Sequence, residues 1–501
     1  MTLAADTASF ADTFPKLLLL HSVRRGTRPA MLMKRRLGWR TWTWEQMIEE
    51  VRLFALGLSQ LGVQRDDRVA IIGHNRPRLY WAISAVQSLG AIPVPLDPDS
   101  AADELAAVLA HAGVKIAVVE GEEEVDKLRS ISERLQMLGL IVHDRPLNLD
   151  GRERAPLKSF DDVQQLGREA GIRSSSLGWE REIGKGRGLD VAVILYAAGA
   201  AGRPRGVMLS HGGLIATARN ANAFDRIGEC EMVLAGLPMA WVGDHLVSYA
   251  QSLAAGYCVA CAESPHTLFA DFRRIGASYL VVPLVFYENL YKLLMNRIDG
   301  ASFIRRRVSR YYLEVASRWG EKILNRERVP RRAWLIYQSG DLLVYGPLRN
   351  RFGFSRIRVA YAVGEGQGNE TIRFFRSLGI NLKQLYGQTK ASLWIAAQPD
   401  REVHAGTVGR PLPGVEIWIS DDGELLVRSR GVFAGYYKDP DLTAESKTPE
   451  GWLRTGDAGV IDSKTGHVKI IGRAAGERRL ATQRIDANPH PLHRPDDEPI
   501  L

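Results

Sequence analysis

The stretch Gly199-Ala200-Ala201-Gly202-Arg203-Pro204-Arg205-Gly206 follows an apolar run at 190–196. A strand that ends in a glycine-rich turn exposes successive backbone N–H groups, and such a concavity can cradle phosphate oxygens. Arg205 adds a fixed positive charge at its exit. Neither GxxxxGK[ST] nor GxGxxG is present there, which removes the Walker A loop and the dinucleotide fingerprint. By itself such a turn is more often a structural connection than a binding site. A second chemical candidate, Cys258 and Cys261, makes a single CxxC. Zinc or redox chemistry needs a second ligand pair or a thioredoxin-like setting. A small apolar strand over 257–262 is the expected reading.

Together with Val207-Met208-Leu209-Ser210-His211, the glycine-rich stretch resembles the phosphate-loop signature of the AMP-forming acyl-adenylate synthetases. That superfamily includes acyl-CoA synthetases, aryl-CoA ligases, luciferases and peptide-synthetase adenylation domains. Its other signatures follow in order. Tyr361-Ala362-Val363-Gly364-Glu365-Gly366 resembles the Gly-Glu element beside the adenine, and Leu385-Tyr386-Gly387-Gln388-Thr389 the aromatic-Gly-x-Thr element. Gly451-Trp452-Leu453-Arg454-Thr455-Gly456-Asp457 resembles the ribose-binding element, and Ile471-Gly472-Arg473 stands where the hinge begins. Leu237-Pro238-Met239-Ala240-Trp241-Val242-Gly243-Asp244-His245 is similar to the long-chain acyl-CoA synthetase branch, as are Val344-Tyr345-Gly346-Pro347-Leu348 and Ser377-Leu378-Gly379-Ile380. The resemblance covers about residues 15–480.

The resemblance implies an enzyme that joins a fatty carboxylate to the ATP α-phosphate, releases pyrophosphate, and passes the acyl group from acyl-AMP to coenzyme A. ATP, Mg²⁺ and CoA are the implied cofactor, metal and co-substrate. Gly199, Ala200, Ala201, Gly202, Gly364, Glu365, Tyr386, Gly387, Gln388, Asp457 and Arg473 would then bind nucleotide. Thr389, Lys390 and Arg205 would act on the phosphates, and Trp241 and His245 would meet the acyl chain. The roles are chemically sensible. A tyrosine face can stack on adenine, and a carboxylate can accept hydrogen bonds from a ribose diol.

The departures from the family pattern fall on the chemistry. Ala197, Ala198, Ala200 and Ala201 replace its hydroxyl residues, so the backbone donors remain but the side-chain donors are lost. Hydrogen bonds to charged groups are worth about 1.5–3 kcal/mol each, so ATP should bind more weakly. Arg205 replaces a lysine, and Lys390 stands where the family's glutamate helps hold magnesium. An ammonium repels a metal, so no metal ligand is expected at that position. Ala475 replaces the hinge Asp or Lys, and the chain ends at Leu501 after a proline-rich tail. The resemblance thus implies the large domain without the small C-terminal lid that brings a catalytic lysine. A non-catalytic acyl- or nucleotide-binding protein is the alternative.

Helices and strands must position these residues. Helical periodicity at 44–61, 79–89 and 102–111 alternates with short strands at 68–72, 91–94 and 115–119, a rhythm that predicts a doubly wound parallel sheet. It recurs after residue 190, with strands at 191–196, 232–237, 253–260 and 278–282 and a helix at 214–224. The expected fold is α/β: two doubly wound lobes and a small β-rich unit at 405–470, together an adenylation domain over 1–470, with 471–501 a hinge remnant and disordered tail.

The chain has 501 residues, 66 Lys plus Arg against 57 Asp plus Glu, and three cysteines. This composition is globular and leaves no disulfide framework. Residues 1–14 carry Asp6 and Asp12 but no Lys or Arg, unlike a signal peptide. A cytoplasmic or membrane-peripheral location follows. Charge is concentrated at 297–332, with eleven Lys/Arg against four acids and interleaved Phe303, Ile304, Tyr311, Tyr312, Val315, Trp319 and Ile323. Two readings stand: a helix pair with one core face and a solvated basic face, or a surface that meets anionic membrane. No nucleic-acid motif accompanies the patch.

Overall fold

The computed structural model describes residues 11–36, 38–135, 137–146, 156–173, 177–197, 204–364 and 369–474. Gly199, Ala200, Ala201, Gly202, Glu365 and the tail from residue 475 lie outside the described residues.

The first lobe is a five-stranded parallel sheet in the order Ile92–Leu96, Arg68–Ile72, Ile116–Val119, Leu140–His143, Leu157–Ser159. Three of these strands, Ile92–Leu96, Arg68–Ile72 and Ile116–Val119, are apolar and buried along nearly their whole length, as sheets covered on both faces require. The helix Trp44–Gln60 starts where Thr43 accepts from Gln46 N and Gln46 returns a bond to Thr43 N, a complete capping box. Helices Pro77–Ser88 and Ala102–Ala112 follow their strands as the periodicity predicts.

The second lobe has a parallel trio, Tyr279–Pro283, Val359–Val363 and Leu382–Tyr386, extended by the antiparallel strands Ala396–Ala397 and Arg410–Pro411. Beside it lies a four-stranded sheet, Met232–Ala235, Cys258–Cys261, Pro29–Arg35 and Gly38–Thr43. Ser278 N donates to Met232 O at 2.9 Å where the two meet. Strands near the N-terminus therefore complete the second lobe, which the sequence rhythm placed after residue 190. Pro29–Arg35 lacks a period-2 pattern, and only Ala30 and Met31 are buried.

Two expected strands change character. The run at 253–260 divides into helix Gln251–Ala255 and strand Cys258–Cys261, because Gly256 at φ +86° caps the helix in the left-handed region. Val191–Ala197 is not a parallel strand of the second lobe. It pairs antiparallel with Arg205–Ser210, which pairs in turn with Gly435–Tyr436. Cys258 and Cys261 are buried, and burial pushes the Cys258 thiol up to about 12. The apolar-strand reading of the CxxC is the one observed.

The basic segment holds one 22-residue helix, Phe303–Leu324, followed by Arg331–Gly340 and a π-helical turn, Asp341–Tyr345. Of the long helix only Ala316 and Gly320 are fully buried, but Tyr312, Val315 and Ile323 pack half-buried against the cluster of Ala316, Tyr337 and Tyr345. A core face is therefore present, and Phe303, Ile304 and Tyr311 stand outside it. Among the described residues, no helix is long and apolar enough to cross a membrane. The small β unit is an antiparallel sheet of Val415–Ile419, Glu424–Ser429, Leu453–Ile461 and Val468–Arg473. Its last strand runs through Arg473.

Candidate active site

The buried strand Leu382–Tyr386 ends in a tight fold-back. A Cβ on Gly387 would lie 1.2 Å from the carbonyl oxygen of Leu393, so no other residue fits. Leu393 N donates to Gln388 O at 3.0 Å and Ile395 N to Tyr386 O at 3.1 Å, closing the turn around the short 3₁₀ helix Thr389–Ala391. Ser392 and Leu393 adopt left-handed φ values of +54° and +65°. Such conformations cost about 1–2 kcal/mol per non-glycine residue and persist where surrounding structure imposes them.

The fold-back presents Tyr386 and Gln388 to Asp457 on strand Leu453–Ile461. Tyr386 donates its hydroxyl to Asp457 Oδ2 at 2.6 Å, and Gln388 Nε2 donates to the same oxygen at 2.7 Å. Arg473 Nη1 donates to Oδ1 at 2.8 Å. Gln388 Nε2 also reaches Thr455 O at 2.9 Å. Asp457 is almost wholly buried. Burial, then the neighbouring Asp457 carboxylate, pushes the Tyr386 phenol well above its ordinary range, so it stays a donor. Four of the residues assigned to nucleotide by resemblance, Tyr386, Gln388, Asp457 and Arg473, thus converge.

Sequence reasoning missed what braces this cluster. Glu424 is buried, accepts from Gly456 N at 3.0 Å through Oε1, and holds Arg454 Nη1 at 2.9 Å through Oε2. It fixes the backbone next to Asp457. The signal was present in Asp421-Asp422-Gly423-Glu424, a turn that puts Glu424 first on its strand.

Lys390 is buried, and its Nζ donates to Arg454 O at 3.1 Å. The described residues do not fit a resident magnesium here. Position 390 carries an ammonium, which repels a metal ion rather than ligating it. Among the described residues the one His/acid group with metal-compatible spacing is His74, Glu120 and Glu124. Glu120 is instead neutralised by Arg76 at 2.8 Å and Arg145 at 2.7 Å. Burial raises its pKa, but the His74 hydrogen bond and these guanidinium groups outweigh that and hold it at about 2.

Arg205 opens its strand half-buried, paired in register with Ala197. Gly364 ends strand Val359–Val363 at φ +107°. Trp241 and His245 lie beyond strand Met232–Ala235, in another part of the chain from the Asp457 cluster. His245 is buried against Phe14 and Tyr249, and its Nε2 has no hydrogen-bond partner among the described residues. Burial lowers its pKa to about 3, so the ring is neutral. Between them sits Asp244, which the motif contained but sequence reasoning did not single out. Tyr80 donates to its two oxygens at 2.9 and 2.8 Å, and Asn75 Nδ2 to Oδ1 at 3.1 Å. Burial pushes this carboxyl up to about 7.

Comparison with known proteins matches this geometry to a family. The mycobacterial long-chain-fatty-acid–CoA ligase FadD15 of Mycobacterium bovis is 29% identical over 476 residues, covering 91% of this chain and 74% of its own. Human long-chain-fatty-acid–CoA ligase ACSBG2 is 26% identical over 483 residues, covering 93% and 70%. The crystal structure of a long-chain-fatty-acid–CoA ligase, FadD1 from Archaeoglobus fulgidus, superposes with a TM-score of 0.68 at 16% identity, over 92% of this chain and 84% of that one. Its likeness establishes the fold. The family described as AMP-binding enzyme matches residues 21–437, and the chain belongs to that family.

Proposed function

We propose that the chain is an AMP-forming long-chain fatty acid–CoA ligase homologue. The convergence of Tyr386, Gln388 and Arg473 on the buried Asp457 carries the reading. The Tyr386 hydroxyl meets the carboxylate, so a ring and an acid lie together, which supports an adenosine site. In this reading Asp457 accepts the ribose hydroxyls, the Tyr386 ring meets the adenine, and Thr389 and Arg205 face the phosphates. The fatty carboxylate attacks the ATP α-phosphorus, the bond to pyrophosphate breaks, and the CoA thiol then displaces AMP from the acyl carbon. Trp241 and His245 line the acyl path, and His245 as a neutral buried ring suits an apolar chain. The names of the relatives support the long-chain substrate class and the CoA acceptor. The adenylation domain spans 1–470 with 405–470 its small β unit, and 471–501 is hinge and tail.

The buried ammonium of Lys390 favours a second reading, in which the chain binds nucleotide or acyl group without turnover. ATP–pyrophosphate exchange with palmitate and magnesium separates the two. Exchange well above a protein-free background supports the ligase. Absent exchange with calorimetric ATP binding intact supports the binding protein.

A further inference from the structure

The basic segment carries a surface that neither lobe covers. At 100° of rotation per residue, Phe303, Ile304, Val308 and Tyr311 fall on one face of the helix Phe303–Leu324, roughly opposite the buried Ala316 and Gly320. Phe303 and Ile304 are 66% and 74% exposed. The following helix is bound back against the middle of this one. Tyr312 OH meets Ser339 Oγ at 3.2 Å, and Tyr345 donates to Tyr312 O. This return brings the π-helical turn Asp341–Tyr345 beside the same half of the long helix. Its Val344 and Tyr345 turn inward while Leu342 and Leu343 stand 78% and 58% exposed. Scattered exposed leucines need no explanation, but two exposed apolar groups on neighbouring elements do.

Charge says what covers it. Arg307 is exposed within this face and Arg305 is exposed to one side of it, and neither makes an ion pair among the described residues. The nearby acids are mostly engaged: Asp299 holds Arg310, Glu321 holds the buried Arg376, and Asp341 holds Arg349. The exposed Glu314 and Glu327 remain against eleven Lys/Arg at 297–332. Apolar side chains set among arginines match an anionic interface with an apolar layer just beneath its charge. The Arg376–Glu321 pair ties the helix to Asn369–Ser377, which follows the Gly364 strand end.

We propose that this surface docks on an anionic lipid bilayer, with Phe303, Ile304, Leu342 and Leu343 entering the headgroup–acyl boundary and Arg305, Arg306 and Arg307 at the lipid phosphates. The proposal stands independently of turnover. The test is co-sedimentation of the full chain with phosphatidylcholine vesicles, with and without phosphatidylglycerol, at low and high salt. Binding is expected only with phosphatidylglycerol and should fall with salt. The triple change Arg305→Gln, Arg306→Gln and Arg307→Gln should weaken it on the order of 100-fold. Leu342→Ser with Leu343→Ser should weaken it on the order of 10-fold at unchanged charge. Lys464→Gln with Lys469→Gln, a control on the small sheet, should bind like the parent. Thermal unfolding matching the parent shows that the variants are folded. Equal binding to neutral vesicles, binding indifferent to both variant sets, or a dimer in ultracentrifugation that Leu342→Ser abolishes each overturns the proposal.

Discussion

Arg473 donates to Asp457 at 2.8 Å from the directly paired position of the neighbouring strand. The guanidinium thus holds the very carboxylate that Tyr386 and Gln388 approach from the other lobe. Asp457→Asn removes the charge and one acceptor oxygen while keeping the shape. ATP affinity by calorimetry should fall by about 10–100-fold, the equivalent of about 1.5–3 kcal/mol for a hydrogen bond to a charged group. Arg473→Lys should lose less than Arg473→Gln. Unchanged affinity in Asp457→Asn would remove this residue from the nucleotide site.

Gly387→Ala should be among the most damaging single methyl groups in the chain. The new Cβ meets a backbone oxygen at 1.2 Å, and no side-chain rotation relieves it. A loss of at least about 3 kcal/mol is expected in urea unfolding. A variant as stable as the parent would show that the fold-back is loose.

Lys390→Glu replaces the donor to Arg454 O with an acceptor. The carbonyl loses this donor and faces a carboxylate. Stability should drop by about 1–3 kcal/mol, so restoring the family's residue alone carries a folding penalty. Equal or greater stability in urea would show that the Arg454 contact contributes nothing.

Asp244 sets a pH dependence. Its folded pKa is about 7 against an ordinary 3.8. Its contribution is therefore complete below pH 3.8 and is lost as pH rises to about 7, because the folded state keeps a proton that the unfolded chain releases. Asp244→Asn removes that slope. The stability of the variant relative to the parent should rise over this window by on the order of 4 kcal/mol, then stay level. Urea titrations at pH 4, 5.5, 7 and 8 measure it, and a constant difference means Asp244 is ionised in the fold.

The first lobe was legible because its strands are continuous apolar runs and its helices begin at recognisable caps, as at Thr43. The Asp457 cluster was legible as motifs but not as contacts. Nothing local in Gln388 says that its amide crosses to Thr455 and Asp457. Glu424 was hidden for the same reason, since its partners lie some thirty residues on. At 253–260 the apolar run continued through a helix–strand boundary that only Gly256 marks. In the basic segment, Tyr312, Val315 and Ile323 do meet a core cluster, but burial depends on what lies opposite, and among the described residues too little faces Phe303 and Ile304 to bury them.

Pro29–Arg35 pairs with Cys258–Cys261, joining Met31 to Val259 across more than 200 residues of chain. During synthesis at roughly 5–20 residues per second, the N-terminal hairpin emerges on the order of ten seconds or more before its partner strand. Until then its outer edge presents unpaired backbone groups, the kind of surface on which strands of separate chains join. The birth of the second lobe is thus timed by translation, and its yield should depend on what shields that edge while the ribosome works.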